Sequence, residues 1–206
     1  MSQRLSALFV GDSFTVGAGV AGAANGYACI LARSQGWACN VDAFGATGYL
    51  NDGAGFYPTP PGRALDRLSA DVKLYAVDMV VLDSGRNDLG KDPAAVVDAF
   101  TQTLAEVQQL WPSARVVVIM PAYMSATPYT NYSLVHTGFV AACGAAHATL
   151  LDPVAEQWYS GVDIEGMQIP DHVHPNALGN QFLAGKIADS MARHGLGDLV
   201  GARVPS

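Results

Sequence analysis

The 206-residue chain reads as an α/β fold built on a parallel sheet. Short, unbroken apolar runs alternate with segments patterned as helices. Those runs are continuous rather than alternating with polar residues, as expected when helices cover both faces of a sheet. No internal repeat, low-complexity segment or linker breaks the pattern, so one domain over residues 1–206 is expected.

The elements follow in order. Leu5 to Val10 is apolar and stops at Gly11, which reads as a buried strand. Asn25 to Gln35 carries Tyr27, Ile30 and Leu31 at helical spacing, with Gly36 placed as a C-terminal cap. Cys39 to Phe44 is a weaker strand, and Gly45 to Gly62 a loop dense in Gly, Pro and Asn. Arg63 to Tyr75 reads as a helix and Val77 to Leu82 as a buried strand. Pro93 to Trp111 is the clearest helix. Asp92 can cap it, Pro93 suits its first turn, and Val96, Val97, Phe100, Leu104 and Val107 form one stripe. Arg115 to Met120 is a further strand, Ser133 to Ala148 a helix, and Thr149 to Asp152 a short strand. Pro153 to Tyr159 reads as a helical turn, Gly161 to Pro175 as loop, and Asn176 to His194 as the closing helix.

Composition excludes several classes. Half the residues are hydrophobic and 14% are charged, the opposite of a disordered chain. The net charge of -7 argues against binding nucleic acid or anionic membranes, both of which need Lys and Arg. No stretch is long and apolar enough to span a bilayer. The N-terminal apolar run is too short for a signal peptide, so the chain as written reads as cytoplasmic, or released without a signal. Cys29, Cys39 and Cys143 form no CxxC pair and read as buried thiols. A Cys29–Cys39 bridge is the alternative for an exported protein.

In open parallel sheets, ligands bind beyond the carboxyl ends of the strands. The first strand ends in Gly11-Asp12-Ser13-Phe14. On that tripeptide alone, a turn capped by Ser13 is the stronger reading; the other is a serine nucleophile on a tight turn. The second strand runs into Gly45-Ala46-Thr47-Gly48, which lacks a full dinucleotide fingerprint but can present a bare backbone N–H. The third ends in Gly85-Arg86-Asn87-Asp88, where the Asn87 amide could donate to an oxyanion without titrating.

The most informative segment is Asp171-His172-Val173-His174-Pro175. A serine hydroxyl needs a general base, and a histidine base needs a carboxylate to fix its tautomer. A short turn can bring Asp171 onto His174, with Pro175 opening the last helix. Two rival readings stand beside it: a metal site of Asp171, His172 and His174, which lacks further ligands, and His172 as the base.

In this order the four pieces resemble the GDSL esterase/lipase superfamily, also called SGNH hydrolases. Gly11-Asp12-Ser13-Phe14 is similar to its first block, with Phe for the commoner Leu. Ala43 to Gly48 is similar to the second, with Ala43 where Asn is frequent. Gly85-x-Asn87-Asp88 and Asp171-x-x-His174-Pro175 match the third and fourth. The resemblance implies a flavodoxin-like three-layer α/β/α sandwich with a five-stranded parallel sheet, and hydrolysis of esters, sometimes thioesters or amides. It implies a Ser13–His174–Asp171 triad, an oxyanion hole of Ser13 N–H, Gly48 N–H and Asn87, and no metal or organic cofactor.

Aromatic residues in the 49–62 and 121–133 loops, with Trp158 and Tyr159, each taken singly read as pins that hold a long loop down; together they also suit a sugar or polar-headed acyl substrate. Asp12, Phe14, Tyr49, Arg86, Tyr123 and Trp158 are the candidate substrate contacts. Short acyl esters, with O-acetyl carbohydrate first, are the expected substrates, and the partner a small-molecule or carbohydrate ester. An acyltransferase using the same residues, a carbohydrate-binding module with an idle site, and a flavodoxin-like nucleotide binder are the competing readings.

Overall fold

The structure, a computed structural model, describes residues 4–197. Five strands, β1 (Ser6–Gly11), β2 (Ala38–Ala43), β3 (Met79–Asp83), β4 (Arg115–Ile119) and β5 (Thr149–Leu151), form one sheet in the order β2-β1-β3-β4-β5. Every pair is parallel, with Ala7 beside Cys39 and Met79, and Val81 beside Val117. The helices are α1 (Tyr27–Ser34), α2 (Ala64–Leu74), α3 (Pro93–Leu110), α4 (Tyr132–Ala145) and α5 (Ala177–Met191).

The continuous apolar runs have the expected cause. Successive side chains of a strand point to opposite faces. Ala7, Phe9, Met79, Val81, Val117 and Ile119 therefore pack against α1 and α5, in a core that includes Tyr27, Leu31, Leu183 and Ile187. Leu8, Val10, Val80, Leu82, Val116 and Val118 meet α2, α3 and α4 through Leu68, Phe100, Leu104 and Phe139. The result is the three-layer sandwich expected from the family resemblance.

Local signals hold at the start of α3 and the end of α1. Asp92 caps α3 by accepting the Ala95 N–H, and Pro93 is its first residue. Trp37 and Gly36 donate backwards to the Ala32 and Arg33 carbonyls, closing α1 as a Schellman motif.

Three expectations are corrected. The last helix begins at Ala177, not Pro175, because Asn176 is its cap and accepts the Leu178 and Gly179 N–H groups. It also ends at Met191, followed by a wider turn over Ala192–Leu196. Residues 153–159 form turns instead of a helix. Asp152 Oδ1 takes the Val154 and Ala155 N–H groups, and Gln157 adopts a left-handed φ of 55°. Cys29 and Cys39 are not free thiols: they are joined in a disulfide between α1 and β2, ten residues apart in sequence, while Cys143 is free and buried.

Candidate active site

Ser13 lies two residues beyond β1, half-buried, in a turn closed by Val16 N–H to Asp12 O and Ala18 N–H to Ser13 O. Asp12 braces it by accepting the Phe14 N–H at 3.0 Å. Among the described residues, none accepts the Ser13 N–H. Gly11 leaves no room for a side chain, since a Cβ there would stand 2.7 Å from the Asp83 carbonyl. The bare Gly11 backbone thus lets Thr15 and the end of β3 close in on the turn.

The segment after β2 is organised by Asp88. Its Oδ2 accepts the Tyr49 and Leu50 N–H groups at 2.6 and 3.2 Å. Its Oδ1 accepts the Asn51 N–H at 3.0 Å and the Asn51 side chain at 2.5 Å. A Cβ on Gly48 would fall 2.2 Å from that carboxylate, so glycine is required here by close approach. This grip folds residues 48–51 into a turn in which the Gly48 N–H donates to the Asn51 carbonyl at 2.8 Å. In this conformation Gly48 is thus not the open oxyanion donor expected from the sequence. Asn87 Nδ2 donates one proton to the Thr47 carbonyl at 2.8 Å, which orients the amide and leaves its second proton unengaged. Gly85, with φ 102°, makes the turn that brings Asn87 there.

The last loop holds His174 as expected. Asp171 Oδ2 meets His174 Nδ1 at 2.6 Å, and its Oδ1 accepts the Val173 and His174 N–H groups, each at 2.9 Å. The His174 side chain, then its N–H, holds the Asp171 carboxyl down to about 2. A carboxylate can only accept, so Nδ1 carries the proton and Nε2 is left as the basic nitrogen. His172 is exposed, adopts φ 56°, and lacks such a brace. Asn176 ties the loop down by donating to the Gly166 and Gln168 carbonyls, and Asn180 by donating to Pro175 O.

The fold brings this loop to the β1 turn. The His174 ring lies 5.9 Å from the Phe14 ring, and a Cβ on Gly19 would stand 2.1 Å from Pro175 O. Among the described residues, Ser13 Oγ and the His174 ring share no hydrogen bond. Catalytic contacts of this kind commonly tighten only when substrate is bound.

Beneath the turn lies a buried ionic column, of which sequence reasoning marked Asp12 and Arg86 but missed Asp83, Tyr27 and Thr15. Arg86 pairs with Asp83 at 2.8 Å and Asp12 at 3.4 Å, donates to Ala122 O at 2.8 Å, and stacks on Phe14 at 4.2 Å. Tyr27 and Thr15 donate to Asp83 Oδ2. Burial works against the Arg86 charge, yet Asp83 and Asp12 hold its pKa above the ordinary value. Burial pushes Asp12 up to about 6 despite Arg86, and Asp83 adds to the rise. Polar residues at strand ends (Asp12, Asp83, Arg86) were the available signal; the Asp83–Arg86 pair is local, three residues apart, but nothing local says that Asp12 faces it.

Most expected substrate contacts are thereby reassigned. Asp12, Phe14 and Arg86 are buried supports of the turn. Tyr49 is fully buried, its ring 5.2 Å from Phe100 and 5.9 Å from Phe139. Trp158 and Tyr159 belong to the other core, with Trp158 Nε1 donating to Glu156. Met124 is buried, and Tyr129 and Tyr132 pack against the α2–α4 core. Tyr123 remains exposed, its hydroxyl donating to the Arg86 carbonyl at 3.2 Å.

A β2-β1-β3-β4-β5 parallel sheet with serine, asparagine and an aspartate-braced histidine on its carboxyl-end loops has the architecture of the SGNH hydrolases. The chain belongs to the GDSL-like lipase/acylhydrolase family, whose model matches residues 9–182. It is 30% identical to the GDSL lipase Rv0518 of Mycobacterium tuberculosis over 188 residues, 87% of this chain and 78% of that one. Among solved structures it resembles Est24, a carbohydrate acetylesterase from Sinorhizobium meliloti. That match has TM-score 0.70 and 16% identity, and covers 93% of this chain and 100% of the other. It also resembles a family two carbohydrate esterase from Clostridium thermocellum in complex with cellohexaose, with TM-score 0.71 and 20% identity, covering 94% and 66%. The chain is an SGNH-family hydrolase, and ester hydrolysis is the activity this membership supports.

Proposed function

We propose that the protein is a serine esterase acting on short-acyl carboxylic esters, O-acetylated carbohydrate among them. Ser13 is the nucleophile, His174 the general base and Asp171 its orienting carboxylate. The observation that carries the reading is the 2.6 Å contact of Asp171 with His174 Nδ1, in a loop packed against the Ser13 turn. Likeness to carbohydrate esterases supports the sugar part.

His174 Nε2 takes the Ser13 hydroxyl proton as Oγ attacks the acyl carbonyl. The developing oxyanion is met by the Ser13 N–H and the free Asn87 amide proton. The tetrahedral intermediate collapses, the C–O bond to the alcohol breaks, and His174 returns its proton to the leaving alkoxide. Water repeats the cycle on the acyl-enzyme and regenerates Ser13. Asp171 keeps His174 in the required tautomer throughout. Arg86, buried under Phe14, holds the turn rather than the substrate.

The Cys29–Cys39 bridge favours an oxidising compartment over the cytoplasm expected from the sequence. Ser13→Ala should abolish turnover of a short-chain ester and labelling by a fluorophosphonate, with the thermal midpoint unchanged. Retained turnover in that variant would refute the assignment.

A further inference from the structure

We propose that the space over Gly45 is the acyl recess of the ester site, and that Phe56 and Tyr57 set the acyl length it accepts. This rests on the serine-esterase reading above and assigns that site its specificity.

A methyl group placed on Gly45 would stand 3.8 Å from Ser13 Cβ, 3.5 Å from Tyr57 Oη and 3.9 Å from Phe56 Cε1. These are ordinary contact distances with nothing nearer. Gly45 therefore leaves a gap the size of its missing β-carbon between the nucleophile and two aromatic side chains, which lets a neighbouring group approach the bare backbone. The wall of that gap is held in place. The Phe56 and Tyr57 N–H groups donate to the Gly53 carbonyl at 3.1 and 3.2 Å, and Gly62 N–H donates to Asp52 O at 3.1 Å. The Tyr57 ring meets Phe56 edge-on at 5.0 Å and Phe44 at 6.3 Å, and the Arg67 guanidinium lies 5.3 Å from the Phe44 ring centroid. Phe56 nevertheless stands 68% exposed and Phe44 37%. A braced aromatic cluster left open beside a nucleophile offers apolar area to whatever occupies the gap.

The chemistry decides which part of an ester lies there. His174 returns the proton to the leaving alkoxide, so the alcohol belongs on the His174 side. The His174 ring meets Asp171 and Phe14, its carbonyl accepts the Ile169 N–H at 2.9 Å, and a Cβ on Gly19 would stand 3.5 Å from its carbonyl carbon. Those of Phe56 and Tyr57 run to Phe44, Gly45 and Gly53. The aromatic wall thus reaches Ser13 from the β2 side and faces the acyl substituent. An acetyl methyl packs over the gap, against the bare Gly45 backbone, and a longer chain runs into the Phe56 edge.

The test holds the alcohol constant, using p-nitrophenyl acetate, butyrate and octanoate. Wild type should favour acetate. Gly45→Ala fills the gap and should lower kcat/KM on acetate about tenfold, the scale of one misplaced methylene group. Phe56→Ala should raise the butyrate-to-acetate ratio of kcat/KM by about fivefold or more. A second series of acetates, of ethanol, phenol and a pyranose, should keep its ratios within about twofold in Phe56→Ala. An unchanged acyl ratio in Phe56→Ala, or a shift in the alcohol series instead, overturns the recess. Phe56 is exposed, so this variant decides the matter even if Gly45→Ala does not fold. A wild type that hydrolyses none of these esters, unlabelled by fluorophosphonate, overturns the esterase reading itself.

Discussion

Replacing Asp88 by alanine tests how the oxyanion segment is held. The carboxylate accepts three backbone N–H groups and the Asn51 side chain, at 2.5 to 3.2 Å. Each donor left unsatisfied in a buried place costs about 1 to 3 kcal/mol. Leu50 and Asn51 are half-buried, so water can reach part of what is lost, whereas Tyr49 is fully buried. The expected loss is therefore about 3 to 4 kcal/mol, below the sum of four separate penalties. Urea unfolding at neutral pH measures it, read as a lower midpoint at unchanged slope. Asp88→Asn keeps one accepting oxygen and should lose about half as much. Thr47 O orients the Asn87 amide from the same segment, so turnover of a short-chain ester should fall in both variants. A loss under about 1 kcal/mol in Asp88→Ala would show that the segment holds its shape without this carboxylate.

Asp171→Asn should lower kcat about a thousandfold or more with little change in KM, because an amide no longer enforces the Nδ1–H tautomer; steady-state kinetics decide it, and near-wild-type kcat refutes the brace. Burial first, then the neighbouring Asp42 carboxylate, raise the Asp71 carboxyl to about 7. Its folded pKa thus lies above the unfolded one, so its contribution is fully present below about pH 4 and is lost as pH rises through 7. Asp71→Asn should therefore gain on wild type between pH 5 and 8, by on the order of 1 to 2 kcal/mol in urea unfolding, and equal pH dependence in the two proteins would contradict this. Opening the Cys29–Cys39 bridge with reductant, or by replacing both residues with serine, should cost about 2 to 3 kcal/mol, seen as a lower thermal midpoint; an unmoved midpoint removes the bridge from the stability of the fold.

The strands and the Asp92 and Gly36 helix ends were legible because each is set within a few residues: an unbroken apolar run, a capping side chain, a glycine after the last turn. The Asp171–His174 contact was legible for the same reason, being made inside one short loop. The aromatic residues misled. Tyr49 lies in a segment that reads as loop and Trp158 and Tyr159 in one that reads as a helical turn, yet each is buried, and side-chain type does not record which way a segment folds back. Phe56, among the most exposed of them, sits in the same kind of loop.

From the sequence alone came the alternation of strand and helix and the residues able to act as nucleophile, base and brace, since periodicity and residue chemistry are carried along the chain itself. The tertiary structure alone determined that Arg86 is a buried support between Asp12 and Asp83, that Asp88 grips the turn after β2 and engages the Gly48 N–H, and that Gly45 opens a gap beside Ser13. The reason is distance along the chain. Arg86 reaching Asp12, Asp88 reaching residues 49–51 and Gly45 lying beside Ser13 each join residues from different strand ends, and they exist only once the sheet order has set β1 between β2 and β3.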